Sequence, residues 1–264
     1  MKQPFLKWAG GKRWLFTDEF IKGLPPFDRY CEPFLGGGAG FFRLAPIRAD
    51  LSDVNVELIN LYKQIRDNPI DFGAALKSFH QQHSKDFYYL VRSSKFEPDL
   101  MGAVRTLYLN RTCWNGLYRV NQRGEFNVPI GTKTSIFDER EDFEAISETL
   151  QRTTLNVSDF EAAIDRCGEG DLAFVDPPYT VRHNMNGFVK YNEAIFSWAD
   201  QERLARAIKR AASRGTRVIL TNADHPSVRE LYDEIGTIQS IARSSVISGS
   251  VKGRSKTTEL LVTA

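Results

Sequence analysis

The run FVDPPYT, residues 174–180, limits this chain more than any other stretch. It comes directly after Leu172 and Ala173, so four apolar residues lead straight into an acid, two prolines and a tyrosine. Neither proline has an N–H to donate to a ladder, so a strand has to stop at Asp176. The prolines then impose a stiff turn with an aromatic ring at its far end. The plainer reading is a strand-ending turn. The sharper one is a rigid platform that sets a carboxylate, a free carbonyl and a flat ring around one small planar group.

The rest of the chain supplies a setting for that turn. Its 264 residues suffice for one large domain, or for a core domain with an insert. The net charge is only +2, so affinity for a polyanion has to come from where the basic residues sit. The three cysteines, Cys31, Cys113 and Cys167, are odd in number, widely spaced and without a CxxC pair. Neither a disulfide framework nor a zinc site is expected, and a reducing compartment is the simplest setting. No signal peptide or membrane span is visible, so a soluble, cytoplasmic protein is expected.

Strands and helices alternate at both ends of the chain. Helices are predicted over 13–24, through Phe41 and Phe42, over 199–213 and over 226–235. Strands are predicted over 29–32, 47–51, 155–157, 170–175, 217–220 and 259–262. This pattern predicts an α/β fold with a doubly wound sheet. Residues 56–143 are helical, polar and aromatic and lack the alternation. They are expected to be an insert splitting one domain into 1–55 and 144–264.

EPFLGGGAGFF, residues 32–42, sits after a strand and before a helix, where glycines let backbone approach a ligand. It is not a P-loop, nor a well-formed GxGxxG fingerprint. Asp53 ends the second strand. Its two oxygens suit a ribose diol there. It is equally suited to cap a helix starting near Val54. Taken with the glycine loop and the FVDPPYT turn, the ligand reading is favoured.

FLKWAGGK, EPFLGGGAGFF, DVN, NGLYRVNQRGEFNVPIG and DPPY, in that order, resemble the Dam-type DNA adenine methyltransferases. The resemblance spans nearly the whole chain. It implies a Rossmann-like fold binding S-adenosyl-L-methionine, with a mostly helical target-recognition insert at 56–143. By that resemblance Trp8, Lys12, Asp53 and Asp176 line the methyl-donor site. Glu32, Phe34, Gly36 and Gly38 belong to the loop under the donor's amino-acid end, and Asp159 falls where an acid or the neighbouring backbone meets its adenine. The implied partner is double-stranded DNA, bound by a monomer without a metal. Trp114 and Asn115 are implied on a wedge, with Lys7, Leu117, Arg119 and Pro129 toward base edges, Asn121 among the DNA-binding residues, and GATC as the site read. Arg111, Lys133 and Arg254 are expected to contact phosphate, within two basic stretches, 105–133 and 243–256.

The chemistry of the turn fits methyl transfer to an exocyclic amine. Such an amine is conjugated with its ring and is a poor nucleophile. Asp176 can accept one of its N–H groups and the Pro177 carbonyl the other, while Pro178 keeps the turn rigid. Tyr179 offers a stacking face, its hydroxyl being spare in this reading, so Tyr179→Phe is expected to be mild. A base in a duplex has to be flipped out to reach such a turn. The next segment, 180–196, is expected to be mobile and to order when a base enters. Competing readings are a cytosine amino-methyltransferase of the same fold, which more often has Ser for Asp176, an RNA methyltransferase, and an inactive DNA-binding relative.

Overall fold

The computed structural model describes residues 4–121, 123–181, 196–244 and 256–264. It is an α/β fold with a seven-stranded sheet in the order β3-β2-β1-β4-β5-β7-β6. The strands are β1 (Arg29–Glu32), β2 (Ala49–Asp53), β3 (Thr153–Val157), β4 (Asp171–Val175), β5 (Arg217–Ala223), β6 (Thr237–Ser244) and β7 (Lys256–Thr263). The chain divides into two compact units, Met1–Pro25 with Leu35–Val157, and Pro26–Phe34 with Ser158–Ala264. This division differs from the 56–143 insert drawn from composition.

In the first unit β2 and β3 pair in parallel, with Asp53 opposite Val157. The helices are α1 (Asp18–Lys22), α2 (Ala39–Leu44), α3 (Val56–Asp67), α4 (Pro69–Gln82), α5 (Lys85–Ser93), α6 (Leu100–Thr112) and α7 (Phe143–Leu150). α3 begins one residue after its cap, Asn55, whose side chain accepts from Leu58 N–H, and ends where Pro69 opens α4. It packs on α6, α7 and β3, so the helices share a core with the two strands. Leu58, Ile59, Tyr62, Phe72, Leu107 and Tyr108 fill that core. α1 is shorter than predicted, because Thr17 caps it and residues 12–17 are tight turns.

The second unit pairs β1, β4 and β5 in parallel, with β7 antiparallel between β5 and β6. All five residues of β4 are buried, the apolar run 172–175 as a strand between two others requires, and Asp171 through its pairing with Arg29. The strand ends at Val175, one residue before the acid. Its helices are α8 (Phe160–Asp165), α9 (Trp198–Ser213) and α10 (Pro226–Tyr232). α9 opens with a capping box in which Ser197 and Asp200 bond each other's backbone N–H. Strand β6, the polar sequence TIQSIARS, is absent from the strands predicted above. It lies at the end of the sheet order, where a strand pairs on one side only. Cys31, Cys167 and Asp171 cluster in this unit, but both Asp171 oxygens accept from Arg29, which gives the cluster a structural reading. Among the described residues no helix is long and apolar enough to cross a membrane.

Candidate active site

The first unit builds its site around the end of β2. Asp53 accepts the N–H of Gly36 (3.0 Å) through one oxygen and the N–H of Asn55 (3.0 Å) through the other. Burial pushes its carboxyl above the ordinary carboxylate range, against the pull of those backbone donors. Asp53 therefore staples the glycine loop, while the helix-capping role belongs to Asn55. Each oxygen keeps a further lone pair for a hydroxyl donor. Gly36 has φ +47°, and a Cβ there would meet Trp8 Cδ1 at 2.7 Å. Gly38 has φ +65°, and a Cβ there would lie 2.9 Å from the Tyr62 hydroxyl, which itself donates to Gly36 O (3.2 Å). Only glycine fits such backbone at this spacing. Trp8 also stacks on Tyr118, with centroids 5.3 Å apart. Lys12 is buried, its Nζ donating to Gly10 O at 2.7 Å. Trp8, Gly36 and Asp53 thus lie together at the end of β2.

The second unit holds the turn. Asp176 Oδ1 accepts from the Thr221 hydroxyl at 2.7 Å. The Tyr179 hydroxyl donates to Glu259 Oε2 at 2.8 Å. Burial, then the charges of Asp176 and Glu259, hold that phenol well above its ordinary range, so it remains a donor. Its hydroxyl is not spare, which revises the expectation that Tyr179→Phe is mild. Thr180 donates to Phe196 O at 2.6 Å and so fixes the residue after the ring. Glu32 is buried and accepts from Tyr30 (3.0 Å), and Phe34 stacks on Phe160.

Asp159 lies in the second unit. Its carboxyl caps α8 through Glu161 N–H and takes both terminal nitrogens of Arg203, at 2.8 and 3.1 Å. The side chain is thus held in an ion pair, and the backbone beside it is the other group that the resemblance implied for the donor's adenine.

The described residues expected to meet DNA lie in the first unit. After α6 the chain turns through a short 3-10 segment, Trp114–Gly116, with Asn115 at φ +56°. It then returns as a hairpin bridged at Cys113↔Ile130 and Val120↔Phe126. Trp114 and Leu117 are 52% and 41% exposed, large apolar surfaces left in water. Lys7 is held beside this turn. Its backbone exchanges hydrogen bonds with the Asn110 side chain, and its Cδ lies 2.8 Å from where a Gly116 Cβ would be. An open cleft of about 570 Å³ is lined by Lys7, Asn115 and Lys133, with Arg111 and Glu141. Arg119 is exposed, as are Pro129 and Lys133.

Three basic or polar residues of this stretch have their side chains bonded within the protein. Arg111 is bonded through both nitrogens to Glu141 and also donates to Ile136 O (2.6 Å) and Phe5 O (2.7 Å). Its side chain is 9% exposed, so it braces the fold instead of meeting phosphate. Arg105, counted in the same basic stretch, is buried against Glu57. Asn121 spends its carbonyl on Arg123 and Glu125 N–H and its amide on the Glu125 side chain, closing the hairpin tip. Arg254 and the residues 182–195 lie outside the described residues.

Residues 8–246 match the family described as D12 class N6 adenine-specific DNA methyltransferase. The chain belongs to this family. It is 38% identical to the type II methyltransferase M1.LlaDCHI of Lactococcus lactis subsp. cremoris, over 99% of this chain and 95% of that protein. It is 34% identical to the DNA adenine methylase of Serratia marcescens, over 98% and 97%. The DNA N-6-adenine-methyltransferase of Escherichia phage P1 is 36% identical over 89% of this chain, which spans 32% of that longer relative. As a D12-class enzyme the chain is an adenine-specific DNA methyltransferase, which settles the choice against the cytosine, RNA and inactive readings. Sequence reasoning missed Thr221 and Glu259, whose partners lie 45 and 80 residues away. The one signal was an acid inside the apolar end of the last strand, TTELLVTA.

Proposed function

We propose that the enzyme transfers a methyl group from S-adenosyl-L-methionine to N6 of adenine flipped out of duplex DNA, within GATC. The observation that carries this reading is the rigid turn itself. Asp176 is oriented by Thr221, the Pro177 carbonyl is restricted by the Pro178 ring that follows it, and Tyr179 is anchored at its hydroxyl. The bound donor supplies an electrophilic methyl on a sulfonium. Asp176 accepts one N–H of the adenine amino group and the Pro177 carbonyl the other, turning the nitrogen lone pair outward. Tyr179 stacks on the base, a contact worth ~1–3 kcal/mol. The proton lost from the methylated nitrogen leaves toward the Asp176 carboxylate.

The residues of β2 and its loop suit the donor. Asp53 has lone pairs left for a diol, and Gly36 and Gly38 are left-handed with no side chain to obstruct a ligand. Asp53→Ala is expected to weaken donor binding by ~1.5–3 kcal/mol, read by calorimetric titration. It should also loosen the loop, since Gly36 loses its acceptor. Unchanged affinity would leave the loop-stapling role alone.

Lys7 and Arg119 are assigned to the two guanines of the site, and Leu117 and Pro129 to thymine methyls. Trp114 is the wedge, with Asn115 beside it. Arg119→Ala should relax discrimination at one end of the site by ~1–3 kcal/mol. Lys133→Ala should weaken all sequences alike and lower the salt slope by about one unit. Methyl transfer to duplex DNA, single-stranded DNA and RNA, then sequencing of the methylated plasmid, tests the whole reading. Modified adenine in a motif other than GATC would remove the specificity assignment and leave the reaction.

A further inference from the structure

Strand pairing brings two residues behind the catalytic turn that take no direct part in the proposed reaction. β4 runs parallel to β5 with Val175 opposite Leu220, so the residues just beyond, Asp176 and Thr221, lie side by side. β5 runs antiparallel to β7, with Thr221 opposite Leu261 and Ala223 opposite Glu259. Residues two apart on a strand share a face, so Thr221 and Glu259 stand diagonally on one face of the sheet. Their side chains meet different members of the turn. The Thr221 hydroxyl donates to Asp176 Oδ1 at 2.7 Å. Glu259 Oε2 accepts from that phenol at 2.8 Å.

Both supports are buried, Thr221 at 1% and Glu259 at 5% exposure. A carboxyl group taken out of water is costly unless it is bonded. This one sits on a strand otherwise lined by Leu260, Leu261 and Val262. Packing alone would favour an apolar residue at that place, so the acid needs another reason. The neighbouring network is fixed as well. Asn222 donates to Gln201 Oε1 (3.0 Å), Gln201 donates to Thr180 O (3.4 Å), and all three are fully buried. The chain is therefore held on both sides of Tyr179.

We propose that Thr221 and Glu259 are positioning residues for methyl transfer. Thr221 fixes the rotation of the Asp176 carboxylate, and with it the direction in which the group meets the amine. Glu259 fixes the plane of the Tyr179 ring by holding its hydroxyl. Together they couple the acceptor and the stacking face into one rigid unit on the sheet. The inference rests on the assignment of Asp176 and Tyr179 to the reaction.

The test is steady-state methylation of duplex DNA by the full chain, with donor and DNA affinities measured separately. Thr221→Val removes the hydroxyl at constant shape, and Thr221→Ser returns it. Glu259→Ala removes the acceptor, and Glu259→Gln keeps a carbonyl in its place. Thr221→Val and Glu259→Ala are expected to lower kcat ~10- to 100-fold, as misplacement of a reacting group does. KM for DNA and donor affinity should change less than about threefold, because transition-state positioning is what is lost. Thr221→Ser and Glu259→Gln should recover most of kcat. Tyr179→Phe should match Glu259→Ala, and the two together should be no worse than either. A kcat within twofold of wild type in Thr221→Val and Glu259→Ala would overturn the inference. So would a loss confined to KM, or no recovery in the two conservative variants. Asp176→Ala is run alongside: if it stays active, the assignment of the turn fails first, and if it is inactive the inference stands or falls by itself.

Discussion

Asp176→Ala is expected to lower methylation by more than ~10²-fold, the scale seen when a preorganised polar group is removed from a reacting centre. The acceptor that turns the amine lone pair outward disappears, and nothing else in the turn replaces it. Pro177 offers only a carbonyl, and Thr221 then has a hydroxyl with no carboxylate to orient. Duplex binding should stay within a few-fold, because the residues assigned to DNA are on the first unit's hairpin and beside Lys7. Asp176→Asn keeps one carbonyl oxygen and should fall between. Its amide can donate where the carboxylate accepted, so half of its conformers present the wrong group. Single-turnover methylation with saturating donor, next to fluorescence anisotropy on the same duplex, separates the two effects. Activity above about a tenth of wild type in Asp176→Ala would place the catalytic group elsewhere, since no lone stacking contact supplies so much.

Features that depend on neighbours along the chain were legible in the sequence. Two prolines after an apolar run end a strand wherever they stand, so the turn at Asp176 could be read. The glycines before α2 were legible for the same reason, and so was the acid ending β2. The cap of α3 was harder. Asp53 and Asn55 are two residues apart and both are good caps, and the local sequence does not say which faces the loop. Thr221 and Glu259 were illegible because their roles come from strand register. A hydroxyl in VILTNAD and an acid in TTELLVTA acquire meaning only when β7 inserts antiparallel beside β5. The strand β6 was hidden by its polar sequence, since an edge strand with one partner need not show apolar alternation.

Charge was the most misleading signal, and Arg111 shows why. A basic stretch in sequence counts cations without their partners. Arg105 finds Glu57 48 residues back, and Arg111 finds Glu141 30 residues on. Arg111→Ala should therefore act on stability. It removes a nearly buried guanidinium, leaves Glu141 partly buried without its partner, and strips the Ile136 and Phe5 carbonyls of a donor. Breaking a buried ion pair from one side costs ~3–5 kcal/mol. At 23% exposure the Glu141 side chain still reaches water, which favours the lower end of that range. In a chain of this size each kcal/mol moves Tm by ~2–4 °C, so a fall of roughly 6–12 °C is expected. Arg111→Lys should recover little of it, because one ammonium cannot replace a fork that serves a carboxylate and two carbonyls. The salt dependence of DNA binding discriminates between the two roles for this residue. A phosphate contact would lower the slope by about one unit, as expected for Lys133→Ala. A brace leaves the slope of the folded fraction unchanged. A normal Tm with a shallower salt slope would return Arg111 to the DNA interface.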